Sequence, residues 1–141
     1  MRSVDINSYI IFVLGTGPFQ RSIFDILTRS GYCIGTIGPS ENIFNAIAHI
    51  QSDVREIEFI TKEMKKFRYK PLYFFSSQTD ITVLPAAILN KFFECAEINI
   101  EISKMFTNKF LVRNKNINSI ILKNPAYEII DIKQLENKKH F

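Results

Sequence analysis

Tryptophan is absent from this 141-residue chain, and cysteine occurs only twice, at Cys33 and Cys95. Two thiols that far apart, with no CxxC pair, supply neither a disulfide framework nor a zinc cluster, so a reduced, cytoplasmic compartment is expected. Long hydrophobic runs are also missing. The longest, Tyr9 to Leu14, is far too short to span a bilayer, which excludes a membrane-spanning reading. The first eight residues hold Arg2 and Asp5 but no apolar stretch ending in a small-residue cleavage site, so no signal peptide is expected. There is no overall excess of one charge large enough to dominate the surface. The net +4 is concentrated: residues 1–103 carry 10 basic and 11 acidic side chains, residues 104–141 carry 8 and 3. A nucleic-acid binder would spread its basic footprint over the fold, so this distribution argues against a nucleic-acid partner.

What is present is core-forming material. The chain is 46% hydrophobic, with 13 Phe and 5 Tyr. One domain of this length can bury a full core, and disorder is excluded. Tyr9 to Leu14 reads as a buried parallel strand ending at Gly15. Gly15-Thr-Gly-Pro18 is a sharp turn, with Pro18 suited to the first turn of a helix carrying Phe19, Ile23, Ile26 and Leu27 on one face. Tyr32 to Ile37 is a second strand. Ser40 or Asn42 is expected to cap a short helix through Ile43, Ile47 and Ile50. Ser52 to Phe67 reads as an amphipathic helix, Pro71 to Phe75 as a third strand, Leu84 to Phe93 as a helix and Ala96 to Ile100 as a short strand. Beyond Lys104 the pattern weakens; Ile117 to Leu122 fits either a helix turn or a strand, and Glu136 to Phe141 reads as a frayed end. This strand–helix alternation predicts an α/β domain with a mostly parallel sheet, a Rossmann-like three-layer architecture. Ligands in such sheets bind beyond the carboxyl ends of the strands. The loops at Gly15–Pro18, Ile37–Asn42 and Ser76–Pro85 are therefore the candidate site loops.

Several motifs weigh toward structure rather than chemistry. Gly15-Thr-Gly-Pro-Phe-Gln20 follows a strand and opens a helix. It puts Gln20 where a dinucleotide fingerprint needs a small residue, and the second strand ends in Ile37-Gly38-Pro39 rather than in an acidic residue. His49 reads as a core or boundary residue on an apolar helix, and His140 as a solvated tail residue. Cys33 and Cys95 read as small apolar fillers. The run Lys62, Lys65, Lys66, Arg68 and Lys70 reads as a solvated helix face among Glu56, Glu58 and Glu63.

The stretch Ser76 to Glu101 resembles a known family. Leu84-Pro85, Ala87-Ile88-Leu89-Asn90 and Glu97-Ile98-Asn99-Ile100 are similar to the "ILP…IL…aINxH" segment of formyltransferase N-terminal domains. That fold occurs in methionyl-tRNA formyltransferase and in related domains fused to peptide-synthetase enzymes. The resemblance is collinear from about Tyr9 to Ile132. Val13 to Gly17 is similar to the family's first strand and loop, and Gly31 to Ile37 to its "GhxIxGvi" strand. Ser40-Glu-Asn-Ile43 is similar to "SpdpxI", Tyr73-Phe-Phe-Ser76 to "yLFS", and Asn118 to Asn124 to "tSWAILN".

This resemblance implies a single formyltransferase-like domain over residues 1–141, diverged or truncated after about 103. It implies a site for 10-formyltetrahydrofolate near Gly15, Ser76, Leu84 and Pro85, with a folate or amine as the small-molecule substrate. Asn99 stands where the family's catalytic Asn binds the formyl oxygen. The family's catalytic His is replaced by Glu101. Its Asp falls near or beyond His140, where no candidate exists. The implied enzyme is therefore catalytically impaired or inactive. Two alternatives stay open. One is a non-catalytic interaction module on the same fold. The other is the small N-terminal domain of an ATP-grasp enzyme, which also opens with a "GxGP" loop and can carry a strand like Lys70-Pro-Leu-Tyr-Phe-Phe75. In that case Lys109 lies near the start of the ATP-binding part. Acceptor and oligomeric state stay undetermined by the sequence.

Overall fold

A computed structural model describes residues 8–42, 44–77 and 79–115. The chain divides into two compact units, Met1–Asn108 and Lys109–Phe141. The first holds β1 (Tyr9–Leu14), a 3-10 turn (Pro18–Gln20), α1 (Arg21–Arg29), β2 (Ile34–Gly38), β3 (Ala48–Gln51), α2 (Ile57–Met64), β4 (Lys70–Ser76), α3 (Asp80–Phe92) and α4 (Ile100–Thr107). The described part of the second is α5 (Lys109–Lys115). The readings on Ile43, Ile117–Leu122, Asn118–Asn124, Glu136–Phe141 and His140 fall outside the described residues.

The four strands form one sheet in the order β3-β2-β1-β4, and every pairing is parallel. This is the small α/β domain that the strand–helix alternation predicts. Side chains alternate across the pleat, so β1, β2 and β4 each feed two cores. On one face Ile10, Phe12, Leu14, Ile37, Ile50 and Phe74 pack with Ile60 and Met64 of α2 and Ala86 and Leu89 of α3. On the other, Ile11, Val13 and Ile34 pack with Phe24 of α1 and with Phe44 and Ala46. The sheet is thus the middle of three layers. Burying each such large apolar side chain contributes about 1.5–3 kcal/mol. The rings of Phe12 and Phe74 stack at 5.7 Å across neighbouring strands, a geometry contributing about 0.5–1.5 kcal/mol more. Gly35 makes room for this core: a Cβ there would stand 2.4 Å from the Phe12 ring.

Three expected elements differ. The helix through Ile47 and Ile50 is instead a loop leading into β3. Asn42 closes that loop with both ends of its amide, donating to the Ala46 carbonyl and accepting from the Ala46 N–H, each at 2.9 Å. Ala48 and Ile50 then point into the core while Gln51 is exposed, a period of two rather than 3.6. His49 consequently sits on a strand. The second helix starts only at Ile57, because Asp53 folds the chain before it into a turn that takes the Arg55 N–H at 2.9 Å. The short strand expected over Ala96–Ile100 does not form. Asn99 caps α4 instead, its Oδ1 accepting from the Ile102 N–H at 3.2 Å.

Candidate functional site

Strand order reverses at β1. The chain steps outward from β1 to β2 and β3, then returns to the opposite side of β1 with β4. The crossover helices α1 and α2 accordingly pack on opposite faces of the sheet. Such a reversal leaves a crevice beyond the carboxyl ends of the two diverging strands. Leu14 and Ser76, the last residues of β1 and β4, lie in register. The loops that follow them face each other.

A cleft of about 490 Å³ occupies this place, lined by Gly15, Thr16, Gly17, Phe19 and Gln20 from the first loop, Pro39, Ser40, Asp53 and Val54 from beyond β2 and β3, and Thr79, Ile81 and Thr82 from the start of α3. Gly15 takes φ +93°, a conformation open to glycine but strained for other residues. Gln20, only 4% exposed, spans the crevice: its Nε2 donates to the Ser77 carbonyl at 2.9 Å. Its Oε1 stands 3.0 Å from where a side chain on Gly17 would begin. In a dinucleotide fingerprint that space admits the pyrophosphate; here an amide oxygen fills it. Thr16 is buried beside Gly38, where any Cβ would meet its hydroxyl at 2.6 Å.

The far wall is held by hydroxyls. Thr82 donates its one hydroxyl proton to the Thr79 carbonyl at 2.9 Å, so in the 2.7 Å contact between Ser76 and Thr82 the proton comes from Ser76. Asp53 is locked by Arg55, whose side-chain Nε reaches Oδ1 at 2.9 Å. The guanidinium of Arg55, with its backbone N–H, holds the Asp53 carboxyl down at about 2. Beyond the cleft, His49 Nε2 lies 2.9 Å from the Ser40 carbonyl and Nδ1 lies 2.8 Å from the Thr36 hydroxyl. A carbonyl only accepts, so Nε2 carries the proton; the residue braces β2 against β3.

The residues singled out from the sequence are not gathered into one pocket. Gly15 lines the cleft just described. Leu84 and Pro85 line an apolar cleft of about 430 Å³ with Arg55, Ile57, Asp80, Ile81, Ile88 and Thr107. Ser76 lines a third, beside β4 and Asn90. Asn99 and Glu101 line a fourth, of about 1070 Å³. Glu101 points to solvent, 77% exposed, and pairs with Lys104 at 2.7 Å. Cys95 is partly buried, donates to the Pro71 carbonyl at 3.4 Å, and burial pushes its thiol up to about 11. Lys62, Lys65, Lys66, Arg68 and Lys70 are all exposed, and Lys66 pairs with Glu63. No described helix is long and apolar enough to cross a membrane. The sequence offers Gln20 only as a failure to be small and gives no signal for Asp53, whereas Thr79 and Thr82 fall within the Ser76–Pro85 loop expected to line a site.

No family model matches the chain, and no curated protein sequence does. Solved structures do. The likeness is to ATP-grasp enzymes. A phosphoribosylglycinamide synthetase from Anaerococcus prevotii matches with TM-score 0.69 and 13% identity, over 92% of this chain and 33% of that one. An N5-carboxyaminoimidazole ribonucleotide synthetase, solved as its ADP complex, matches with TM-score 0.64 and 15% identity, over 97% and 36%. An L-amino acid ligase from Bacillus licheniformis matches with TM-score 0.64 and 10% identity, over 93% and 41%. The chain thus spans a third to two-fifths of the length of these proteins, and what is shared at such identities is the fold. This overturns the formyltransferase resemblance, its folate and 10-formyltetrahydrofolate included. Motifs such as "LP", "IL" and "IN" are what any buried helix and its flanks carry in an Ile-rich α/β domain. Here Leu84 to Asn90 serves α3 packing, and Asn99 serves as a helix cap.

Proposed function

We propose that this chain is the N-terminal domain of an ATP-grasp ligase and holds a small substrate in the cleft between the ends of β1 and β4. The observation that carries the reading is the strand order β3-β2-β1-β4 with that cleft at the reversal, in a fold matched over more than nine-tenths of its length by such ligases. Nucleotide phosphates find no side-chain cation, neither Lys nor Arg, on the described lining of the cleft, which presents the carboxylate of Asp53 and the amide oxygen of Gln20. In this reading the ATP used for ligation is bound by another part of the enzyme, and the cleft supplies the acceptor.

The test is at the gene. The polypeptides encoded next to this chain are expressed with it, and ADP release is followed with a coupled assay over a set of amine acceptors. Acceptor-dependent ADP release that needs this chain is the expected result. A locus with no ATP-binding domain, or ADP release indifferent to this chain, overturns the reading.

A further inference from the structure

We infer that the β1–β4 cleft selects the amino group of an unphosphorylated ligand, an aliphatic amino acid being the fitting class. The inference rests on the ligase reading above and names the substrate that the cleft would take. Its centre is Gln20, which is 4% exposed yet lines the cleft. Its orientation is dictated by chemistry: the Ser77 carbonyl can only accept, so the NH2 end faces Ser77 and the oxygen faces Gly17. Among the described residues no donor reaches that oxygen, and no fully buried side-chain oxygen or nitrogen lacks a partner. An unpartnered Oε1 is therefore one that the cleft still reaches. It is a fixed acceptor waiting for an N–H or O–H.

Two further features choose between donors. Asp53 lines the same cleft, its carboxylate held by Arg55 through both oxygens. A donor entering the cleft finds two kinds of oxygen on its lining, the Gln20 amide and the Asp53 carboxylate, the latter already shared with Arg55, whereas a phosphate finds no Lys or Arg among the described lining residues. The apolar cleft next door shares Ile81 with this one and carries Leu84, Pro85 and Ile88, a place for an aliphatic side chain. Arg55, which lines that second cleft, keeps outer N–H groups beyond those given to Asp53 and can meet a carboxylate. Of the substrate types named by the matching structures, this lining favours the free amino acid over the phosphoribosyl compound.

The experiment is an amide-resolved NMR titration of the chain with L-leucine, N-acetyl-L-leucine and ribose 5-phosphate. L-Leucine is expected to move the amides of Gly15, Gly17 and Thr82. N-acetyl-L-leucine, lacking the ammonium, binds about 10-fold or more weakly, the scale of one charge-assisted hydrogen bond. Ribose 5-phosphate leaves those amides in place. Gln20→Leu weakens L-leucine by about 10-fold on the same grounds, and the comparison of the three probes on the unaltered chain stands even if that variant fails to fold. Equal binding of the acetylated probe, or ribose 5-phosphate moving the same amides as strongly as L-leucine, overturns the inference while leaving the ligase reading intact. Silence from all three also overturns it, and the ADP-release assay then decides the ligase reading separately.

Discussion

Asn90 of α3 satisfies both backbone groups of Phe74 in β4. Its Oδ1 accepts from the Phe74 N–H at 2.9 Å, and its Nδ2 donates to the Phe74 carbonyl at 2.7 Å and to the Ala86 carbonyl at 2.9 Å. Among the described residues strand β4 pairs only with β1, so without Asn90 its other edge would leave these groups bare. A side-chain amide takes the place of a neighbouring strand. Asn90→Leu keeps the volume but strands a buried N–H and C=O, and should cost about 2–4 kcal/mol. Urea unfolding measures it. A loss below that of an exposed control such as Lys91→Ala would show that the edge needs no such partner.

Gly35 is a packing requirement. In Gly35→Ala the new methyl stands 2.4 and 2.7 Å from the Phe12 ring, which is fully buried and has nowhere to move. A destabilisation of about 1–3 kcal/mol is expected from overpacking. Phe12→Leu in the same chain should make Gly35→Ala less costly than it is alone. A strictly additive double variant would refute the proposed clash.

Asn99 and Glu101 should separate in their effects. Asn99→Ala removes the cap of α4 and should lower stability by about 1 kcal/mol. Glu101→Gln only breaks an exposed pair with Lys104 and should leave the unfolding midpoint where it was. If the Glu101 change proves the more damaging, the described role of the α4 start is wrong.

Asp53 offers a pH test. Its carboxyl is lowered from the ordinary 3.8 to about 2 by Arg55. A depressed carboxyl stabilises the fold above its ordinary range, and that contribution is lost as pH falls from about 4 toward 2. Carboxyl NMR should follow Asp53 titrating near pH 2 in the native chain and near the ordinary value in Arg55→Ala. An unchanged titration in the variant would assign the shift to something other than Arg55.

Much of the fold was legible. Tyr9 to Leu14 carries a local signal, since a strand buried on both faces must be apolar throughout, and the strand over Pro71 to Phe75 and the helix over Leu84 to Phe93 were legible as elements. The face of α1 was not: Phe24 packs in the core, whereas Phe19 and Ile26, expected on the apolar face, are exposed. The segments that misled are those whose form a partner decides. Ala48-His-Ile-Gln51 suits a helix by its spacing and becomes a strand because β2 has a free edge to fill. Ala96 to Ile100 alternates like a strand, yet Asn99 starts a helix there.

The site divides the same way. The sequence by itself determined a parallel α/β core and a glycine turn after its first strand, because apolar periodicity and glycine act within a few residues. Only the tertiary structure decided what that turn faces. Gln20 and Ser77 lie 57 positions apart, and Asp53 arrives from beyond a third strand. No local pattern encodes their meeting; it follows from the order in which the strands pack, and that order is set by burial across the whole sheet.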